Sequence, residues 1–213
     1  FFDEDELNKF YKSTLVDLND PAYVFLNTLF SISTGCLYAQ LVDELEKKKL
    51  NRILNYKDLF KSISKAQRLT HLEGKLKSEI IANPDEFVDL DSNIPAALLD
   101  QKFSGKKLFI ATNSDWNYTK HLMKYAMEPY LPKSMSWQEL FDLVIVSADK
   151  PKFFEGNQKI YEVLTEDNLL KPHFGKLTPS VYYGGCGSDI EDFFEASGQE
   201  ILYVGDHIYS DIN

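Results

Sequence analysis

Over roughly the first 100 residues, apolar positions recur at the 3.6-residue spacing of helices with one buried stripe. Pro21 suits a first helical turn. Ala22 to Lys49 continues it through Val24, Leu26, Leu29, Phe30, Leu37, Leu41 and Leu45, weakened in the middle by Gly35. A second stretch sets Leu59, Ile63, Ala66, Leu72, Leu76 and Ile80 on roughly one side, and a short third helix, Pro95 to Phe103, is closed by Gly105. From Lys106 the pattern changes to short apolar runs alternating with helical stretches. "KLFIATNSD" is a strand ending in small polar residues, followed by a helix from about Asp115 to Met127. Ser136 and Glu139 form a capping-box pattern ahead of the strand "FDLVIVSADKP". Residues 152–180 read as irregular, with a hairpin around "PHFGK". A second capping box, Ser188 with Glu191, opens a helix closed by Gly198, and "ILYVG" is the last strand. Apolar runs unbroken by polar residues, alternating with helices, predict a parallel sheet covered on both faces. The expectation is therefore a helical part over 1–103 and an α/β part over 104–213.

The totals narrow the function. A formal charge of −10 argues against nucleic acid as the main partner, because phosphate backbones demand dense Lys and Arg. No apolar run approaches the roughly 20 residues of a membrane span, and no secretory signal opens the chain. The two cysteines, Cys36 and Cys186, follow no metal or redox spacing. A cytoplasmic protein fits best. The chain opens on Phe1 without an initiating Met and stops in a turn at Asn213, so we expect an internal segment of a longer protein.

Chemistry gathers at the carboxyl ends of the three strands, where ligands of open α/β sheets bind. The first ends in Thr112-Asn113-Ser114, either an anion site of hydroxyls and backbone N–H groups or a plain helix cap. The second ends in Ser147-Ala148-Asp149-Lys150-Pro151, where Lys150 is either a phosphate-seeking point charge or a solvated loop lysine. The third ends in Gly205 and two acids five apart, Asp206 and Asp211. A helix would set that pair about 140° apart around its axis and a strand would send them to opposite faces, so only a loop brings them together. Two close carboxylates repel unless a cation neutralises them, and Mg²⁺, bound by carboxylates together with phosphate, is the natural one. The conjunction describes a phosphoryl-transfer edge.

The order "FIATNSD", "VIVSADKPKFF" and "VYYGGCGSDI…ILYVGDHIYSDI" closely resembles the IMP/GMP-specific cytosolic purine 5′-nucleotidases of the haloacid-dehalogenase (HAD) superfamily, and "FLNTLFSISTGCLYAQLVDEL" looks like the helical cap of that family. The resemblance implies a HAD-like Rossmannoid parallel sheet with a helical cap. It also implies Mg²⁺-dependent hydrolysis of purine nucleoside 5′-monophosphates through an aspartyl-phosphate. By motif, Thr112, Asn113 and Ser114 would hold the phosphate, Lys150 would steady developing charge, and Asp206 and Asp211 would serve the metal. Thr112, Lys150 and Asp211 are the catalytic candidates. In the cap, Phe30 would stack on the purine, with Arg68, His71 and Lys77 at nucleotide-pocket positions. The family's cap helix carries Arg and Asp where this chain has Ser64 and Arg68, which bears on base preference. The nucleophilic Asp-x-Asp motif is represented only by Asp3/Asp5 and Asp89/Asp91, neither of which has the strand and Thr that the motif requires. The nucleophile is therefore expected upstream of Phe1. A HAD phosphatase or phosphotransferase acting on another phosphomonoester and a catalytically inactive nucleotide-binding protein are the alternatives. A homo-oligomer is open by analogy with the family.

Overall fold

Four consecutive apolar residues, Leu143 to Val146, form a strand with every side chain buried. In the computed structural model, Val144 and Val146 belong to one core cluster, with Trp116, Leu131, Trp137, Leu140, Val163 and Val181. Leu143 and Ile145 belong to a second, with Ala111, Ala148, Phe153, Tyr182 and Ile190. Successive strand residues point to opposite faces, so the two clusters are the two covered faces of one sheet. The structure describes residues 5, 8–9, 23–26, 29–50, 53, 55–72, 75–164, 167–206 and 211; the side chains of 29, 30, 71 and 72 lie outside that set.

The chain divides into two compact units, Phe1–Gly74 and Lys75–Asn213. In the first, α1 (Leu29–Glu46) packs with α2 (Tyr56–Leu72). Leu59 and Ile63, one turn apart on α2, are buried, and Phe60 meets Tyr38 edge-on with ring centroids 5.8 Å apart. The buried Thr34 hydroxyl donates to Gln67, whose amide in turn donates to the Ser33 hydroxyl at 3.1 Å. A Cβ at Gly35 would meet only Leu26 Cδ1, at 2.9 Å, the far end of an exposed side chain that can turn aside.

The second unit contains α3 (Lys75–Ala82), α4 (Pro84–Phe87), α5 (Asn93–Phe103), β1 (Phe109–Ala111), α6 (Trp116–Met127), β2 (Leu143–Val146), α7 (Lys152–Glu155), β3 (Ile160–Leu164), β4 (Leu169–Pro172), β5 (Val181–Gly184) and α8 (Gly187–Phe194). The sheet runs β1-β2-β5-β3-β4, parallel across β1, β2 and β5 and antiparallel across β5, β3 and β4. This mixed α/β layer matches the expected HAD-like core. The compact units divide at 74/75, whereas the sequence expectation placed a boundary near 103. Helices α3 to α5 group with the sheet because Leu98 and Leu99 of α5 pack on the Trp137 cluster and α3 packs on α6.

Four local expectations differ from what is observed. The single stripe from Leu59 to Ile80 is two helices, α2 and α3. The hairpin is β3–β4 and turns at Asp167-Asn168, with Asn168 at φ 56°, a left-handed conformation Asn tolerates; "PHFGK" begins at Pro172, the last residue of β4, and leads away from it. Helix α8 is capped two residues earlier than expected, with the Cys186 N–H donating to Asp189 Oδ2 at 2.7 Å, and it ends at a left-handed Glu195 rather than at Gly198. Residues 201–205 form no ladder among the described residues. Their burial nevertheless alternates: Ile201 and Tyr203 pack on the sheet's second face while Leu202 and Val204 are exposed.

Ile145 lies at the centre of that second face with no exposed surface. Ile145→Ala is expected to destabilise the α/β unit by about 2–5 kcal/mol, read as a lower urea midpoint with an unchanged slope. Phe174→Ser, at a position 90% exposed, should leave the midpoint within experimental scatter.

Candidate active site

The parallel register Ala111↔Ile145 brings the ends of β1 and β2 side by side, and the two following loops continue the contact. The Thr112 N–H donates to the Ile145 carbonyl at 2.9 Å, the Ala148 N–H to the Thr112 carbonyl at 3.0 Å, and the Ser147 N–H to the Ser114 carbonyl at 2.8 Å. Ser147 and Asp149 both sit at positive φ, 49° and 59°, a conformation uncommon outside Gly, Asn and Asp. Something must hold that loop, and Asn113 does so with both ends of its amide. Its Oδ1 accepts from the Lys150 N–H at 2.7 Å and its Nδ2 donates to the Lys150 carbonyl at 3.1 Å. The Thr112 hydroxyl accepts from the Ser114 N–H at 3.1 Å, fixing the first loop on itself. Of the three residues expected to hold phosphate, Asn113 thus has its side chain engaged in bracing the second loop.

Lys150 turns inward. Its side chain is 12% exposed, and its ammonium lies 2.8 Å from Asp211 Oδ1 and 2.6 Å from the Tyr203 hydroxyl. Asp211 is 3% exposed and packs directly over Gly205, where a Cβ would stand 2.4 Å from that of Asp211. This close approach accounts for the glycine before Asp206. Burial drives the Lys150 ammonium toward neutrality, but the carboxylate and the phenol outweigh it and hold the pKa above the usual lysine value. Burial likewise raises the Tyr203 phenol above its ordinary value, against the opposing pull of Lys150. At neutral pH the group is an ammonium, a carboxylate and a neutral phenol. Asp206, by contrast, is exposed. The two acids thus have different surroundings, Asp211 enclosed and Asp206 in solvent.

Lys77, on α3 of the same unit, reaches the residue after Ser114. Its ammonium is 2.6 Å from Asp115 Oδ2 and 5.3 Å from the centroid of the Tyr118 ring. Asp115 Oδ1 accepts the Tyr118 N–H at 2.9 Å and so caps α6. Burial pushes the Asp115 carboxyl up; the Lys77 ammonium and the Tyr118 N–H more than reverse it, leaving the pKa below the ordinary value. Arg68 is exposed on α2 of the first unit. The side chains of Phe30 and His71 lie outside the described residues, as does Asp3. Asp91 accepts from both the backbone and the amide of Asn93 ahead of α5, the role of a turn rather than of a strand-end nucleophile.

A sequence profile described as the 5′ nucleotidase family matches residues 1–213. The chain belongs to the 5′ nucleotidase family. It is 28% identical over 197 residues to a 5′-nucleotidase domain-containing protein of Dictyostelium discoideum, covering 88% of this chain and 32% of that one. It is also similar to the 5′-nucleotidase domain-containing protein 2 of rat, at 32% identity over 72% of this chain and 27% of that protein, and of human, at 30% over 86% and 34%. The chain thus spans about a third of the length of these relatives.

Proteins of this nucleotidase type typically use Mg²⁺, and the residues can be tested against it. Among the described residues no three His, Cys, Asp or Glu side chains converge. Mg²⁺ does not need such a cage, since one or two carboxylates with phosphate and water suffice. The exposed Asp206 carboxylate fits that requirement, whereas one oxygen of Asp211 is committed to Lys150. The contributions that sequence reasoning missed are Tyr203, the clamp by Asn113 and the pairing of Lys77 with Asp115. The inward phase of Tyr203 within "ILYVG" was a signal for the first; the other two leave no local trace.

Asn113→Ala is expected to cost about 0.5–1.5 kcal/mol in urea unfolding, and Asn113→Asp less, because it keeps the acceptor for the Lys150 N–H. Asp115 gives a pH signature. With its folded pKa below the unfolded value, its contribution is fully present above that value and disappears as pH falls through the folded one. Asp115→Asn keeps a capping side chain and loses the Lys77 pair. The stability gap to wild type should therefore be a few tenths to about 1 kcal/mol at pH 7 and close strongly in acid. A gap that persists unchanged in acid contradicts the assignment.

Proposed function

We infer that the protein of which this chain forms part is a Mg²⁺-dependent phosphatase of purine nucleoside 5′-monophosphates, with IMP and GMP as the reference substrates, working in the cytoplasm through an aspartyl-phosphate. The observation that carries this reading is the convergence of Thr112 to Ser114, Lys150 and Asp211 at the joined carboxyl ends of β1 and β2. Membership of the 5′ nucleotidase family supports it.

In this reading the Ser114 and Thr112 hydroxyls and the backbone of their turn receive the phosphate. Lys150 offers its ammonium to the charge that builds on the phosphoryl oxygens, and Asp211 keeps that ammonium charged and aimed. Asp206 is the ligand this chain gives to Mg²⁺, which when bound would offset phosphate charge. The attacking carboxylate is assigned to a residue outside this segment. Phe30, Arg68, His71 and Lys77 are assigned to nucleotide recognition. Because Ser64 and Arg68 stand where relatives of the purine-specific group carry Arg and Asp, another phosphomonoester is the second reading.

The test is phosphate release by the full-length protein from a panel of purine and pyrimidine monophosphates and sugar phosphates. IMP or GMP should lead the panel, and chelation of Mg²⁺ should abolish turnover. Lys150→Ala and Asp206→Asn should each lower kcat by at least about 100-fold, the scale of losing one preorganised charge. Full activity in either variant refutes the assignment, and turnover of sugar phosphates alone favours the second reading.

A further inference from the structure

A lysine ends in an ammonium on a chain of rotatable bonds, and its position at a site has to be imposed by its surroundings. Asp211 supplies charge to Lys150, but a single carboxylate oxygen leaves the ammonium free to swing around it. The second contact is the Tyr203 hydroxyl, at 2.6 Å, shorter than the 2.8 Å to Asp211. Tyr203 is itself fixed from three directions. Its ring stacks on Phe109 of β1 with centroids 6.4 Å apart and planes at 27°, and it meets Phe154 of α7 edge-on at 5.2 Å. Its hydroxyl lies 3.3 Å from both the Ala111 carbonyl, at the end of β1, and Asp211 Oδ1, so it can donate to either while accepting from Lys150. The Phe153-Phe154 pair after Lys150 therefore divides its work: Phe153 fills the core and Phe154 backs Tyr203.

We propose that Tyr203 is a positioning residue that fixes the Lys150 ammonium between β1 and Asp211, so that one of its three hydrogens remains for an oxyanion held at Thr112 to Ser114. This deepens the functional reading above and rests on Lys150 facing a phosphoryl group. Tyr203 touches no substrate; it acts through Lys150. The residues 201–205 form no ladder among the described residues, and the Tyr203 side chain links this segment to the edge strand β1 through its ring and its hydroxyl.

The experiment is a double-mutant cycle in the full-length protein with Tyr203→Phe and Lys150→Met. It is read by calorimetric binding of orthovanadate, which mimics the phosphoryl group in transfer, and by kcat and KM for IMP. Tyr203→Phe keeps the ring and removes the hydroxyl. It should weaken orthovanadate binding about 10-fold and lower kcat by a similar factor, with KM within about twofold, and have no further effect when Lys150 is already Met. If Tyr203→Phe does not fold, Phe109→Leu loosens the ring without touching a hydrogen-bonding atom and should give a smaller loss with the same dependence on Lys150. No loss in the single variant, or an equal loss on the Lys150→Met background, overturns the proposal, as does a wild-type protein that binds no orthovanadate. A wild type that shows the Lys150-dependent loss in orthovanadate binding yet frees phosphate from no nucleotide refutes the nucleotidase reading and leaves the role of Tyr203 standing.

Discussion

The structure around the candidate site depends on burying one ammonium. Lys150 lies four residues beyond a strand whose side chains are all buried, and it points inward rather than into water. A buried cation without a partner is prohibitive, and breaking such a pair by removing one member typically costs about 3–5 kcal/mol. Asp211 must therefore reach it, and it does so by lying over Gly205, the one residue type that leaves room there. A second hydrogen of the ammonium finds its acceptor in the Tyr203 hydroxyl, and that ring needs walls, which are Phe109 and Phe154. The backbone that delivers Lys150 passes through two non-glycine residues at positive φ, and Asn113 secures it from the neighbouring loop. Each of these residues serves the same constraint from a different element.

Much of this is legible in sequence because it is carried by pattern. The runs ending at Ala111 and Val146 are strands, and the short polar loops after them adjoin because consecutive apolar runs in an α/β chain lie parallel. The expectation that Asp211 folds back toward the end of this run agrees with its packing over Gly205. What pattern does not encode is which partner a polar side chain chooses. Asn113 has the chemistry of a phosphate ligand and the geometry of a loop brace, and only the register of β1 against β2 distinguishes them. Of the two expected capping boxes, Ser136 with Glu139 closes, whereas Ser188 with Glu191 gives way to Cys186 with Asp189, the pair at which the chain leaves β5. The run "ILYVG" reads as a strand on composition, yet its alternation is that of an extended segment with a single packed face.

The electrostatics of the site follow from its pairing. The chain carries ten more acidic than basic charges, and two lysines beside the loop after β1 are each matched, Lys150 by Asp211 and Lys77 by Asp115. Asp115 also takes a backbone N–H at the start of α6, placing a negative group where a bare helix terminus would otherwise attract an anion. The local balance seen by a phosphate dianion is therefore near zero rather than positive. Two neutral pairs position donors well but attract a distant anion weakly, since well beyond the roughly 3 Å between its charges each pair exerts only a dipole's field. The difference between the two acids is then a consequence of burial: the enclosed Asp211 carboxylate is spent on a lysine, and the exposed Asp206 carboxylate stays in water.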